Sequence, residues 1–148
     1  MFSVLISIII NLQKLTFHYF IKDKDIKIKL VIGDLFKQNG DIVIATNSTF
    51  DTTMNNDFIS KNSIQGRLAL RYYNKIEHLD GEIAQVLKGI TPKDTLTREK
   101  SKCKRYEIGT IIKLNHKNFK SYWVALSDVN EFGKPSSNFS IYKREEKI

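Results

Sequence analysis

The apolar run Ile42-Val43-Ile44-Ala45, bounded by Gly40-Asp41 and Asn47-Ser48, constrains this chain more than any other feature. Four consecutive apolar residues leave a strand no face to turn to water, the pattern of a strand covered on both sides of a sheet. Such cover comes from helices, and the neighbouring sequence alternates strand and helix signals. Ile26, Ile28, Leu30 and Ile32 alternate with Lys27, Lys29 and Val31, which predicts a half-buried strand ended by Gly33-Asp34. Ile64, Leu68, Tyr72 and Ile76 recur every four residues and predict a helix capped by Asn62 or Ser63. Asp80 is placed to cap a second helix through Ile83, Val86 and Leu87 to Gly89. Residues 108–114 and 122–126 predict two further strands about a turn at 115–118, and residues 140–148 the start of a helix. Residues 46–62 predict a long loop and residues 91–107 a solvated basic excursion. The alternation predicts an α/β fold with a mixed or parallel sheet.

Composition narrows the chemistry. The 148 residues suit one domain, and 41% apolar with 27% charged residues excludes a wholly disordered chain. The single cysteine, Cys103, excludes an internal disulfide, and no paired Cys or His spacing fits a structural zinc. His18, His78 and His116 share no metal-ligand spacing. Residues 51–57 resemble a calcium loop only until Asn56, where glycine is required, and Asn62, where glutamate is required. No GxSxG elbow, P-loop or GxGxxG occurs. The 24 basic and 16 acidic residues give a net charge of +8, which favours acidic partners such as nucleotides, nucleic acid or an anionic membrane face.

Residues 1–21, MFSVLISIIINLQKLTFHYFI, carry Lys14 as their only formal charge. As one helix they would be about 31 Å long, matching a ~30 Å hydrocarbon layer. Ser3, Ser7, Asn11, Lys14 and His18 would fall on one stripe of it, which suits a membrane helix packed on partners or lying in the interface. Lys22, Lys24, Lys27 and Lys29 follow, and the positive-inside rule places what comes after them in the cytoplasm. The expected organisation is therefore a membrane-associated hydrophobic helix and basic linker over 1–24, then a domain over 25–148.

Two loops follow the first two apolar strands: Gly33-Asp34-Leu35-Phe36 and Thr46-Asn47-Ser48-Thr49-Phe50-Asp51. In open α/β sheets ligands bind beyond the carboxyl ends of the strands. Asp34 can accept from an exocyclic amino group, Asn47 can pair with a ribose hydroxyl, and the hydroxyl-rich loop can offer donors to a pyrophosphate. Each residue is equally readable as turn chemistry, with Asp34 a cap and Asn47 a strand-ending turn residue.

The blocks GDIVIATNSTFDT (40–52) and ISKNSIQG (59–66) resemble the macro-like domain of the Thoeris anti-phage effectors, within a wider macro-domain likeness over residues 26–51. YEIGTIIKLN (106–115) and SYWVALSDVN (121–130) resemble that family's next two strands, and the likeness spans about residues 26–142. It implies a mixed sheet flanked by helices that binds ADP-ribose or a derivative. By position, Asp34 would hold the adenine with the Leu35 backbone nearby, Asn47 would meet the distal ribose, and Ser48, Thr49 and Asp51 would line the cleft. The resemblance further implies a signal made by a partner TIR-domain protein, a bacterial membrane location with the soluble part cytoplasmic, and action through homo-oligomerisation.

Hydrolytic macro domains carry a glycine-rich loop soon after the asparagine, whereas this chain has Ser48-Thr49-Phe50 and no glycine until Gly66. The expectation is a non-catalytic sensor, set above an ADP-ribosyl hydrolase and above a basic nucleic-acid-binding domain. The family's second phosphate loop would fall beyond Ile148, so a partial macro-like domain with an unpaired sheet edge is expected.

Overall fold

The computed structural model describes residues 16–54, 59–98 and 102–134. They belong to two compact units, one within Met1–Asn39 and one within Gly40–Ile148.

The first unit is a hairpin. β1 (Thr16–Ile21) pairs antiparallel with β2 (Ile26–Val31), joined by a turn in which Asp23 adopts a left-handed φ of 61°. The helix expected over 1–21 therefore does not extend through residues 16–21, and the rest of that segment, with Lys14 and the polar stripe up to Asn11, lies outside the described residues. The reason is local. Thr16, Phe17, Tyr19, Phe20 and Ile21 are β-branched or aromatic, and they find a strand partner in the alternating segment that follows. The register sets Phe17 opposite Leu30, Tyr19 opposite Ile28 and Ile21 opposite Ile26, so one face is apolar; His18, Phe20, Lys27 and Lys29 share the other. β2 is an exposed strand rather than the half-buried one predicted. Among the described residues no helix is long and apolar enough to cross a membrane. After β2, a single 3₁₀ turn spans Leu35–Lys37.

The second unit holds a three-stranded mixed sheet in the order β3-β7-β6. β3 (Ile42–Asn47) runs parallel to β7 (Lys120–Ser127), and β6 (Ile111–Asn115) pairs antiparallel with β7. α1 (Ile64–Tyr72) packs on β3 and α2 (Ile76–Leu87) on β6. Ile42, Ile44, Ile112, Leu114, Trp123 and Ala125 form the sheet side of the core, against Leu68 and Ala69 of α1 and Leu79, Ile83 and Leu87 of α2. β3 is thus covered on one face rather than two: Val43 on its other face is 67% exposed. Its uninterrupted apolar run does not distinguish the two arrangements, because Val43 and Ala45 are apolar whether covered or not.

Helix boundaries follow capping chemistry. The Ser63 hydroxyl accepts from the Gly66 N–H at 3.0 Å and starts α1. The four-residue periodicity continues through Ile76, but the backbone turns extended at Tyr73, and α2 begins afresh after Lys75. Asp80 lies inside α2 and caps nothing. The segment predicted as a solvated excursion folds back on itself through a short antiparallel ladder, β4 (Asp94–Thr95) against β5 (Lys104–Arg105).

A buried polar chain locks β6 to β7. The Trp123 indole N–H donates to Ser121 Oγ at 2.9 Å, and Ser121 Oγ lies 2.8 Å from His116 Nε2. With the hydroxyl oxygen accepting from tryptophan, its proton points to His116, which then accepts at Nε2 as a neutral imidazole. Burial holds the His116 pKa below its ordinary 6.5, against an opposing pull from Glu82. The unfolded chain therefore takes up this proton at higher pH than the native one. Stability from this group is complete above pH 6.5 and falls as pH drops below it. Urea midpoints measured between about pH 7 and pH 5 should decline in the wild type, and the decline should be shallower in His116→Phe.

Candidate functional site

The site begins where the parallel pair β3–β7 ends. The register slips between Thr46 and Asn47, so Asn47 lies opposite Ser127 rather than Leu126. The Ser48 N–H still reaches the Ser127 carbonyl at 2.8 Å, and the chain then turns sharply, with the Phe50 N–H on the Asn47 carbonyl at 3.0 Å. Phe50 takes a left-handed φ of 51° although it carries a bulky side chain, and that side chain is completely buried. A non-glycine residue there costs about 1–2 kcal/mol, so the surroundings must impose it.

They do so through Asp51. Its carboxylate is inaccessible to solvent and receives the Arg98 guanidinium at 2.8 Å, the Thr49 hydroxyl at 2.8 Å and the Lys102 backbone N–H at 3.1 Å. The Asp51 N–H donates to Asn47 Oδ1 at 3.0 Å, and the Gln65 amide reaches the Asp51 carbonyl. The Lys102 ammonium lies 2.7 Å from the Phe50 carbonyl and 2.7 Å from Asp80, which also accepts from Thr52. Nearby, the Ser48 hydroxyl donates to Asp128 at 2.6 Å, and Arg105 bridges Asp128 to Asp94. Hydrogen bonding from Arg105 holds the Asp94 carboxyl below its ordinary pKa.

The Arg98 side chain is 5% exposed and its carboxylate partner 0%. Removing one member of such a pair leaves an uncompensated buried charge, a loss of about 3–5 kcal/mol. Arg98→Met should therefore lower stability by about that amount in urea denaturation. In an Asp51→Asn background, where no charge remains to strand, the same substitution should cost less, as a double-mutant cycle would show.

A cavity of about 670 Å³ opens beyond the carboxyl ends of β3 and β7, against the start of α1; Thr46, Asn47, Ser63, Gln65, Ser127 and Lys134 are among its lining residues. One polar side chain at its edge is left for an occupant, and a second is buried behind it. Asn47 Oδ1 is held by the Asp51 N–H, which fixes the amide and leaves Nδ2 without an acceptor among the described residues. Thr46 is 5% exposed, and its hydroxyl has no hydrogen-bond partner among the described residues. A buried unpaired hydroxyl is unfavourable by about 1–3 kcal/mol, and with its oxygen inaccessible it is a cost to the fold rather than a contact open to the cavity.

Of the residues singled out from sequence, Asn47 lines this cavity. Ser48, Thr49 and Asp51 are buried and bonded within the loop rather than lining this cavity, and Thr49 borders a separate one. Asp34 and Leu35 belong to the N-terminal unit, where the Asp34 carboxylate caps the 3₁₀ turn by accepting from the Phe36 N–H at 3.0 Å. Sequence reasoning put Thr46 and Asn47 in the loop, whereas they end β3, and it missed Arg98, one of six basic residues in a segment predicted to be solvated. No local pattern separates Arg98 from the other five.

A parallel strand pair ending in an asparagine turn beside a helix start is the frame of a ligand-binding α/β domain. The family model described as "Thoeris protein ThsA, Macro domain" matches residues 28–144, and the chain belongs to that family. No individual curated protein gives a significant match.

Proposed function

We propose that this domain is a non-catalytic sensor that binds an ADP-ribose-derived nucleotide in the cavity beyond β3 and β7, within an anti-phage defence effector. The Asn47 amide carries the proposal: its oxygen is held by the Asp51 N–H, and its nitrogen, beside a lysine-bearing rim, suits a polyhydroxylated, anionic ligand. Membership in a Thoeris macro-domain family supports the nucleotide class. The absence of turnover is supported by Asp51, the acid nearest Asn47 in the loop, which is committed to Arg98, Thr49 and Lys102 and so does not serve as a general base. By family position, Asp34 and Leu35 are the residues proposed for adenine recognition. The ligand would be supplied by a TIR-domain partner, and the response would run through membrane association and homo-oligomerisation.

Calorimetric titration with ADP-ribose, NAD and amino-acid conjugates of ADP-ribose tests the proposal. Asn47→Asp keeps an oxygen for the Asp51 N–H and removes the amide donor at the cavity. Ligand affinity should fall by about 0.5–1.5 kcal/mol, the scale of one hydrogen bond. Unchanged affinity in a folded Asn47→Asp protein would exclude this cavity as the ligand site. Asp34→Ala should weaken an adenine-containing ligand by ~1.5–3 kcal/mol, the scale of a hydrogen bond to a charged group.

Membrane association is proposed from the apolar composition of residues 1–10 and from the β1–β2 hairpin, where Phe20, Leu30 and Ile28 are exposed beside Lys27 and Lys29. Liposome flotation of the full chain should recover it with lipid, more completely when anionic lipid is present. Recovery only in the soluble fraction would remove the membrane part of the proposal and leave nucleotide sensing intact.

A further inference from the structure

A second cavity, of about 720 Å³, lies between the carboxyl end of α2 and the β4–β5 ladder segment, and it shares no lining residue with the cavity beyond β3 and β7. One wall is apolar, built from Ala84 and Leu87 of α2 with Ile90 and Pro92 after it. Its charged lining residues are Lys88, Lys102 and Lys104, with no carboxylate among them. Lys102 is neutralised by Asp80 at 2.7 Å, and Lys88 reaches only the Gln85 amide at 2.8 Å. Lys104 is exposed and makes no ion pair among the described residues.

Tyr106 gives this cavity its specificity. Its side chain is 6% exposed and lines the cavity, and its ring is fixed edge-on to Phe50 at 5.8 Å between centroids. Its hydroxyl has no hydrogen-bond partner among the described residues and keeps accessible surface although the ring is buried, so it is open to an occupant. Burial pushes the phenol pKa up, so the group is a neutral O–H at physiological pH. An accessible phenol donor on a fixed ring, an apolar wall and a rim of positive charge together describe a receptor for one kind of molecule.

We propose that this cavity is a second ligand site, taking a small amphipathic anion: a flat apolar body against Leu87, Ile90 and Pro92, an acceptor on the Tyr106 hydroxyl, and a carboxylate or phosphate at Lys88 and Lys104. The residues are independent of the nucleotide cavity, so the two sites can be tested apart.

The probe is 2-naphthoate, with uncharged 2-naphthamide as its control, titrated into the full 148-residue chain by calorimetry and by amide chemical-shift mapping. Saturable binding is expected, with the largest shifts at Leu87, Ile90 and Tyr106 and weaker binding of the amide. Tyr106→Phe keeps the ring and removes the hydroxyl; it should raise the dissociation constant about three- to tenfold, the scale of one hydrogen bond. Ala84→Trp, on an exposed helix position facing the cavity, should abolish binding by filling it. ADP-ribose titrations of both variants should match the wild type, which separates this proposal from the nucleotide reading. The proposal is overturned if naphthoate fails to bind saturably up to its solubility limit, if its shifts map elsewhere, or if neither variant alters its affinity.

Discussion

The buried pair between Asp51 and Arg98 is the interaction on which the binding end of this domain depends. A carboxylate taken completely out of water requires compensation, and here one guanidinium, one hydroxyl and one backbone N–H supply it. The pairing ties together two parts of the chain forty-seven positions apart, the turn after β3 and the basic segment before β5. With Asp51 held, its own N–H orients the Asn47 amide, and the left-handed Phe50 is trapped between its turn and the core. Charge burial is thus converted into the orientation of a side chain that faces a cavity.

That arrangement gives the loop after Asn47 a different character from a glycine-rich one. A glycine loop presents bare backbone N–H groups and can adjust around a ligand. Here Ser48, Thr49, Asp51 and Thr52 are buried, and each hydroxyl or carboxylate is already bonded within the protein. The loop is rigid scaffolding for the cavity wall, and the group available to an occupant lies at its edge, the Asn47 amide. Such a cavity is preorganised for recognition.

Two features of the sheet bear on what the domain associates with. β3 is the terminal strand of the β3-β7-β6 sheet, and Val43 on its uncovered face is largely exposed. The β1–β2 hairpin has a wholly apolar face, and an isolated two-stranded hairpin is marginal in water. Both surfaces expose apolar area to water.

Local chemistry was legible where it depends on neighbours in sequence. The β3, β6 and β7 strands, the Ser63 cap, the turn near residue 116 and the family likeness all follow from periodicity, capping and short motifs, because those signals act over a few residues. The helix expected over residues 16–21 failed because hydrophobic content does not discriminate helix from strand, and pairing with β2 decided the matter. The two-sided cover expected for β3 failed for a related reason: an apolar residue is compatible with burial and does not enforce it. Arg98 and Tyr106 were invisible, since what distinguishes each is a partner, or the lack of one, brought about by contacts remote in sequence. The sequence by itself determined the β3, β6 and β7 strands and the two helical segments of the second unit, and which family they belong to. Only tertiary structure decided which polar groups are consumed in holding the loop and which remain for a ligand, because desolvation depends on everything packed around a group.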